Sequence, residues 1–549
     1  MQAWFQILGL ALLIPLSWAQ DQQTVEPTSF NATEALLEQG IDLSLLEQAN
    51  LNLTARGESA HPTCPLMCKT LALTFNAQTY QQGSSQYESF RASYWSVQQA
   101  SVEPQCVFEP TSAQQLSVAI LLSRLTQCQW AAKSGGHAAF ASASSIEDGV
   151  SISLAKFNQI NIAKDKQTVD VGTGNKWQAV YEKVEQSGLV VLGGRDGDIG
   201  VGGLTTGGGI SLFSGQYGWV CDNVVSFTVV TAWGLIVEAS ATSNPDLYWA
   251  LRGGGNNFGL VTNFKFRAFP MGKIWGGAVG WLPDAFPALI KAFYNLGKNS
   301  ETDPKAATIL SFSATGSALG NIAQTLLSYS LPQVVPPILA EFAAVPNAIY
   351  NTTSIRSISN YSEGFATWPA GSRDEIWTHT SVMNVDFMTW LQETFFDIGG
   401  RVQSETSGVR PSLSFQSITK AGIQKMSQNS RNPLGLIDDL ASAPLLMMSQ
   451  AWIWTDAQYD ATVIGAMREF QQKTEAKAVE MGIHVDYRYM NYANEYQDVI
   501  ASYGQDNKRK LKEIAAKYDP TAVFQRLQPG YFKLDGAPID TGSYFDATS

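Results

Sequence analysis

Histidine is the rarest reactive residue in this 549-residue chain, with four copies: His61, His137, His379 and His484. None lies at ligand spacing from a cysteine pair, which argues against a structural zinc site and leaves no metal expected. Basic residues are also short, 36 lysines and arginines against 48 acids, a net charge of -12. That balance argues against nucleic acid or an anionic membrane surface as the main partner. Long apolar runs are missing except for WFQILGLALLIPLSWAQ, residues 4 to 20, which is too short to span a bilayer. Its small residues Ser17 and Ala19 mark it as a secretory signal over residues 1–19, although no lysine or arginine precedes it. Internal repeats and low-complexity tracts are absent as well.

What is present agrees with export and an extracellular location. With 45% hydrophobic and 15% charged residues the chain is globular, and its length asks for two or three domains. Asn31, Asn52, Asn351 and Asn360 each open an N-x-Ser/Thr sequon, so each is a candidate N-glycan site on a protein with no membrane attachment after signal cleavage. Five cysteines suit an oxidising compartment, and Cys64, Cys68, Cys106 and Cys128 crowd the first quarter of the chain. Three pairings are open to these four; Cys64 with Cys128 and Cys68 with Cys106 is the favoured one. Cys221 is left over and reads as a buried, inert thiol.

Residues 20–100 begin as a polar, poorly periodic arm and continue into a disulfide-stapled segment. From Thr111 the positions Leu116, Ile120, Leu121 and Leu125 keep helical spacing, until glycines break the pattern before His137. Short strands are expected at VSISL, INIA and TVDVGTG, followed by an amphipathic helix in NKWQAVYEKVEQSG with Gly188 as its C-cap. VSFTVVTAWGLIVEAS reads as a hairpin turning at Trp233-Gly234, and GLVTNFKFRAF alternates as a strand. Residues 101–272 therefore form an α+β unit. Past Pro270, longer helical stretches alternate with strand-like runs such as SLSFQSI, a second domain over residues 273–485. Residues 486–535 have a strand-loop-helix pattern that returns to the first domain.

The stretch GGRDGDIGVGGLTTGGGISLFSGQYG, residues 193 to 218, holds eleven glycines in twenty-six positions. Glycine at that density costs backbone entropy, which close approach to a phosphate or a flat ring would justify. No Lys-Ser/Thr follows the glycines as a P-loop needs, and no strand-GxGxxG-helix unit is present, so a Rossmann fold is disfavoured. A second cluster, KSGGH at 133 to 137, implies two loops holding one extended ligand between them.

With KSGGH, GVGGLTTGGG at 200 to 209, and YMNYAN with the KYDPTAVF tail at 489 to 524, the sequence resembles the FAD-linked oxidases of the vanillyl-alcohol-oxidase superfamily, in particular the berberine-bridge-enzyme-like group. The likeness spans most of the chain after residue 60. It implies a two-domain PCMH-type FAD-binding fold, with residues 273–485 as an α/β substrate domain of antiparallel sheet covered by helices. It also implies a small-molecule substrate and FAD held at Lys133, Ser134, Gly135, Gly136, Asp196, Ile199, Gly200, Val201, Gly202, Gly203, Gly208 and Val261. His137 matches the family histidine whose ring nitrogen bonds to the flavin 8-methyl carbon. Many members add a cysteine link to flavin C6 four residues before the glycine matching Gly200; here Asp196 stands there, and a carboxylate cannot form that thioether. A single covalent link through His137 follows, and Asp196 is either a substrate-facing charge or a solvated turn residue. Ile199 resembles the oxygen-permissive residue of relatives, favouring molecular oxygen as acceptor and hydrogen peroxide as product.

A flavin takes a hydride, so the protein must orient the substrate and accept its proton. Tyr492 matches the tyrosine that serves several members as base, with Tyr489 and Asn491 beside it. A free tyrosine titrates near pH 10, so a base role asks for a nearby cation; Arg488 is the nearest in sequence. A regular strand would send Tyr489 and Tyr492 to opposite faces, and aromatic packing is the alternative role for both. His379 and Gln416 lie at strand-like positions of the second domain, either lining the pocket or filling the interior. The enzyme expected is a secreted FAD-dependent oxidase of an alcohol, a sugar hemiacetal or a secondary-metabolite C–H or C–N. A dehydrogenase with another acceptor, or a secreted binding protein that keeps the flavin fold without turnover, are the rivals.

Overall fold

A computed structural model describes residues 25–48, 63–316, 320–363, 371–428, 431–436 and 443–539. The signal segment, the Asn52 sequon and His61 lie outside those residues. Residues 25–48 carry two short helices, Ala32–Glu38 and Ser44–Gln48; Leu36 and Leu46 of these helices, with Leu43 just before the second, pack among the residues of helix Ala113–Thr126. A buried ion pair, Arg124 to Glu26 at 2.8 Å, ties this arm down. Ser112 caps the helix by accepting from the Gln115 amide, and Leu116, Ile120, Leu121 and Leu125 are all buried, as their spacing predicts. The disulfides are Cys64–Cys128 and Cys68–Cys106, the favoured pairing, and Cys221 is free and buried.

Two sheets follow. In the first, β1 (Thr79–Gln81), β2 (Cys106–Phe108), β3 (Trp130–Lys133) and β4 (Val150–Ser153) lie in the order β1-β2-β4-β3, with β4 parallel to both β2 and β3. Strand β3 stops at Lys133, so the KSGGH turn sits at its carboxyl end. The second sheet is antiparallel: β5 (Ile160–Ile162), β6 (Thr168–Gly172), β7 (Val224–Val230), β8 (Ile236–Ser240) and β9 (Leu260–Arg267), ordered β5-β6-β9-β7-β8. Strands β7 and β8 form the expected hairpin, and Gly234 turns it with φ +80°. The amphipathic helix covers Trp177–Glu185 and buries Trp177, Val180, Tyr181 and Val184; its C-cap is Gln186, and Gly188, at φ +68°, lies two residues further on.

The third sheet has nine antiparallel strands. Its long members are β10 (Ile274–Trp281), β11 (Ala306–Ala314), β12 (Asn321–Tyr329), β13 (Arg373–Val382), β14 (Arg410–Ile418) and β15 (Leu445–Trp454). They run in the order β10-β12-β11-β14-β15-β13, with short strands at both edges. Alternation assigns its two faces. Leu413 and Phe415 of β14 join Phe395, Phe470 and Trp452 in a core beneath helices Phe286–Asn299, Val385–Glu405 and Asp460–Glu480, while Ser412, Ser414 and Gln416 face a cavity. The tail then returns to the first two sheets: Tyr518 donates to Asp246 at 2.7 Å, and the Trp130 amide to the Leu527 carbonyl at 2.7 Å. This is an α+β architecture.

Candidate active site

The two glycine loops meet backbone to backbone. A Cβ on Gly135 would stand 2.5 Å from the Gly200 nitrogen, and one on Gly200 would stand 2.4 Å from the Gly135 nitrogen. Neither backbone can give way, so both positions require glycine. Ser134 clamps the junction, donating to the Thr173 carbonyl at 2.6 Å and accepting from the Gly202 amide at 3.1 Å. Gly203 differs, because a Cβ there would meet nothing within 4 Å. It lines a cavity of about 810 Å³, at the large end of the usual range for small-molecule sites, bounded by both loops, the third sheet and the tail.

His137 lines this cavity with its ring stacked on Trp95, 4.4 Å between centroids and 18° between planes. Burial, with a smaller push from the Lys176 charge, lowers its pKa to about 4, so the imidazole is neutral near pH 7 and keeps a free lone pair. Ser134, Gly135, Gly136, Asp196, Ile199, Gly200, Gly202, Gly203 and Val261 line the cavity too. Lys133, Val201 and Gly208 do not. Lys133 turns beneath the loop, where Nζ donates to Ser93 at 2.5 Å and faces the Phe90 and Tyr94 rings; burial pushes it down to about 8. Val201 is fully buried, and Gly208, at φ +106°, packs against Trp219. The Asp196 carboxylate accepts from the Asp198 amide at 2.9 Å, and burial raises its pKa.

The YMNY segment is a 3-10 turn over Met490–Tyr492, not a strand. In that geometry residues three apart eclipse, so Tyr489 and Tyr492 come together edge to face at 4.9 Å, where a strand would have parted them. Their oxygens have different surroundings. Tyr489 Oη accepts from the Ile210 amide at 3.0 Å and from Asn491 Nδ2 at 3.1 Å, and burial holds it as a neutral phenol. Asn491 also donates to the Leu204 carbonyl at 3.0 Å, which fixes the turn on the second glycine loop. Tyr492 Oη instead accepts from Arg195 Nη2 at 2.5 Å, while Arg195 Nη1 donates to Gln416 Oε1.

Arg195 is the functional residue that sequence reasoning missed. Arg488, the cation nearest Tyr492 in sequence, is spent on Glu475 at 2.8 Å and on the Asp486 carbonyl at 3.0 Å. The signal the sequence offers for it is its place beside Asp196 in the second glycine cluster. Gln416 is in the cavity and His379 is not. His379 lies in the interior on the same parity of β13 as Trp377, its ring 5.3 Å from that of His484, and both its nitrogens are buried without a hydrogen-bond partner among the described residues. No group of three or more potential metal ligands occurs among the described residues.

The site fits a flavin. Glycine-lined walls admit a flat ring at the backbone, the space beyond Gly203 is free of protein atoms, and a neutral imidazole faces it. Comparisons agree. Residues 104–240 match the FAD binding domain family. The chain is 34% identical over 508 residues to the FAD-dependent monooxygenase tpcD of Cochliobolus heterostrophus, covering 88% of this chain and 96% of that one. The fold matches the BBE-like 1 protein of Physcomitrella patens with a TM-score of 0.67 at 19% identity, over 86% of this chain and 99% of that one. It matches glucooligosaccharide oxidase from Acremonium strictum equally, TM-score 0.67 at 19% identity, over 86% and 100%. The architecture is therefore the PCMH-type FAD-binding fold, shared with the berberine-bridge-like protein of Physcomitrella patens, and the chain belongs to the family of FAD-dependent oxidoreductases that includes the monooxygenase tpcD.

Proposed function

We propose that this protein is a secreted flavin oxidase that oxidises an alcohol, a sugar hemiacetal or an activated C–H or C–N bond of a secondary metabolite. The observation that carries the reading is the Tyr492 oxygen, presented to the flavin cavity with an arginine donating into it. A guanidinium only donates, so it favours the deprotonated oxygen and leaves a lone pair on it for the substrate proton. Tyr492 takes the substrate proton as the phenolate, and Arg195 stabilises the negative charge its oxygen carries before the transfer. Asn491 and Tyr489 hold the turn that aims Tyr492. Bound FAD would supply the hydride acceptor, with molecular oxygen as the final acceptor and hydrogen peroxide as the product.

His137, its ring stacked on Trp95, would hold the cofactor by a single covalent link through a ring nitrogen. Asp196 provides no thiol for a second link. Ile199 lines the cavity, and on this reading its place beside the flavin would leave molecular oxygen a path. Support for secretion comes from the signal-like residues 1–19, the two disulfides and the exposed sequon residues Asn351 and Asn360.

Acid-precipitated protein should remain yellow. Tyr492→Phe should slow flavin reduction by about 10²- to 10⁴-fold with the colour retained, and unchanged turnover refutes its role. A second reading, insertion of an oxygen atom into the substrate, is favoured by the name of the tpcD relative, a monooxygenase. Labelled dioxygen separates the two, since an oxidase places the label in peroxide and a monooxygenase in the product. Flavin reduction without peroxide marks a dehydrogenase.

A further inference from the structure

The cavity wall opposite the glycine loops has an uneven chemistry. Along β14 the inward positions are Gln416, Ser414, Ser412 and Arg410, joined by Ser311 of β11 and Ser449 of β15. Ser311 and Ser414 hydrogen-bond each other across the strands at 2.7 Å. The wall thus carries a track of hydroxyls on a rigid sheet, flanked by the apolar side chains of Ile309, Ile322, Leu326, Ile376 and Ile453. Six residues of strand at about 3.4 Å each make it about 20 Å long from Gln416 to Arg410.

Its two ends carry positive charge. Arg195 bonds Gln416 and Tyr492 at the inner end. Arg410 lines the cavity, is exposed, and has no ion-pair partner among the described residues. Asp196 is the sole carboxylate among the described residues lining the cavity, and it belongs to the flavin-side loop. In a chain of net charge -12, a cavity lined by two arginines and one acid is a local reversal. An arginine left unpaired at a cavity mouth attracts and holds an anionic oxygen group.

We propose that the substrate is an elongated, oxygen-bearing small molecule with a carboxylate at one end, which Arg410 receives at the cavity mouth while the other end lies beside Tyr492. The serine hydroxyls accept from and donate to oxygens along its length. Arg410 is then a specificity-determining residue that acts on binding and not on the proton transfer. The proposal rests on the reading of this cavity as the substrate site of a flavin enzyme.

The test is isothermal titration calorimetry on the holoenzyme with 4'-hydroxybiphenyl-4-carboxylate and with its neutral carboxamide. Neither probe contains an alcohol carbon to oxidise, so binding is read apart from turnover. The wild type should bind the carboxylate about tenfold more tightly, and the preference should shrink with added salt. Arg410→Gln should abolish the preference while leaving carboxamide affinity within about twofold, and Arg410→Lys should restore part of it. Equal binding of the two probes by the wild type, a preference that survives Arg410→Gln, or no binding of either at millimolar concentration overturns the proposal. Charge-selective binding in a protein whose flavin no substrate reduces would instead sink the oxidase reading and leave the Arg410 assignment standing.

Discussion

Replacing Arg195 with methionine tests the centre of the mechanism. The guanidinium donates to Tyr492 Oη at 2.5 Å and to Gln416, so it joins the glycine loop, the tail and the third sheet at one point. A hydrogen bond involving a charged group is worth about 1.5–3 kcal/mol. That energy favours the phenolate over the phenol, so it sets the fraction of enzyme in which Tyr492 is ready to take the substrate proton. At about 1.4 kcal/mol per tenfold in rate, Arg195→Met should slow flavin reduction about 10- to 150-fold. Arg195→Lys keeps the charge but loses the fork that spans Tyr492 and Gln416, and should recover part of the rate. The assay is anaerobic stopped-flow bleaching of the flavin by a substrate found in a peroxide screen. Combined with Tyr492→Phe, Arg195→Met should add little, because its action passes through that hydroxyl. Fully additive losses in the double variant, or a wild-type rate in Arg195→Met when Tyr492→Phe is crippled, would refute the reasoning.

His137→Ala should still fold, and its flavin should wash out on acid precipitation, with a colourless pellet where the wild type gives a yellow one; colour that stays on the protein would locate the tether elsewhere. Gly135→Ala forces a Cβ to within 2.5 Å of the Gly200 nitrogen, and overpacking of this kind costs about 1–3 kcal/mol or more, so both melting temperature and flavin content should fall. Gly203→Ala meets no protein atom within 4 Å and should leave the apoprotein's melting temperature unchanged while lowering flavin incorporation, measured by absorbance per protein. Burial pushes the Asp374 carboxyl up to about 7 from 3.8. Between those values the unfolded chain has released this proton and the folded chain keeps it, so stability from this group is present at low pH and is lost as pH rises from about 4 to about 7. Asp374→Asn should therefore gain melting temperature over the wild type near pH 8 and show no such gain near pH 4; a constant difference across that range would contradict the assignment.

The framework was legible where local chemistry dictates it. The helix Ala113–Thr126 shows its apolar spacing and its Ser112 cap, and the β7–β8 hairpin shows a glycine that only a positive φ explains. The pairing of the glycine loops was legible in outline, since two clusters far apart in sequence had no separate reason to exist. Their contact, Gly135 against Gly200 at backbone distance, was not, because glycine signals close approach without naming what approaches.

The site was legible by motif and illegible by geometry. A strand reading of YMNY separates Tyr489 from Tyr492, and only the 3-10 turn eclipses them; a four-residue stretch carries too little periodicity to tell the two apart. Arg195 lies 297 residues from Tyr492 and 221 from Gln416, so no local pattern could join them. His379 and Gln416 expose the same limit in the third sheet. Its central strands are covered on one face by helices and on the other by the cavity, so most positions of β13 are buried whichever way they point, and alternation of polar and apolar residues cannot tell the faces apart. On β14 the parity is visible because the cavity face is written in serine and glutamine against leucine and phenylalanine. If the cavity receives the substrate as proposed, the alternation that reveals the register also marks the wall that meets it, since Ser412 and Ser414 turn to the cavity and Leu413 and Phe415 to the helix-covered core.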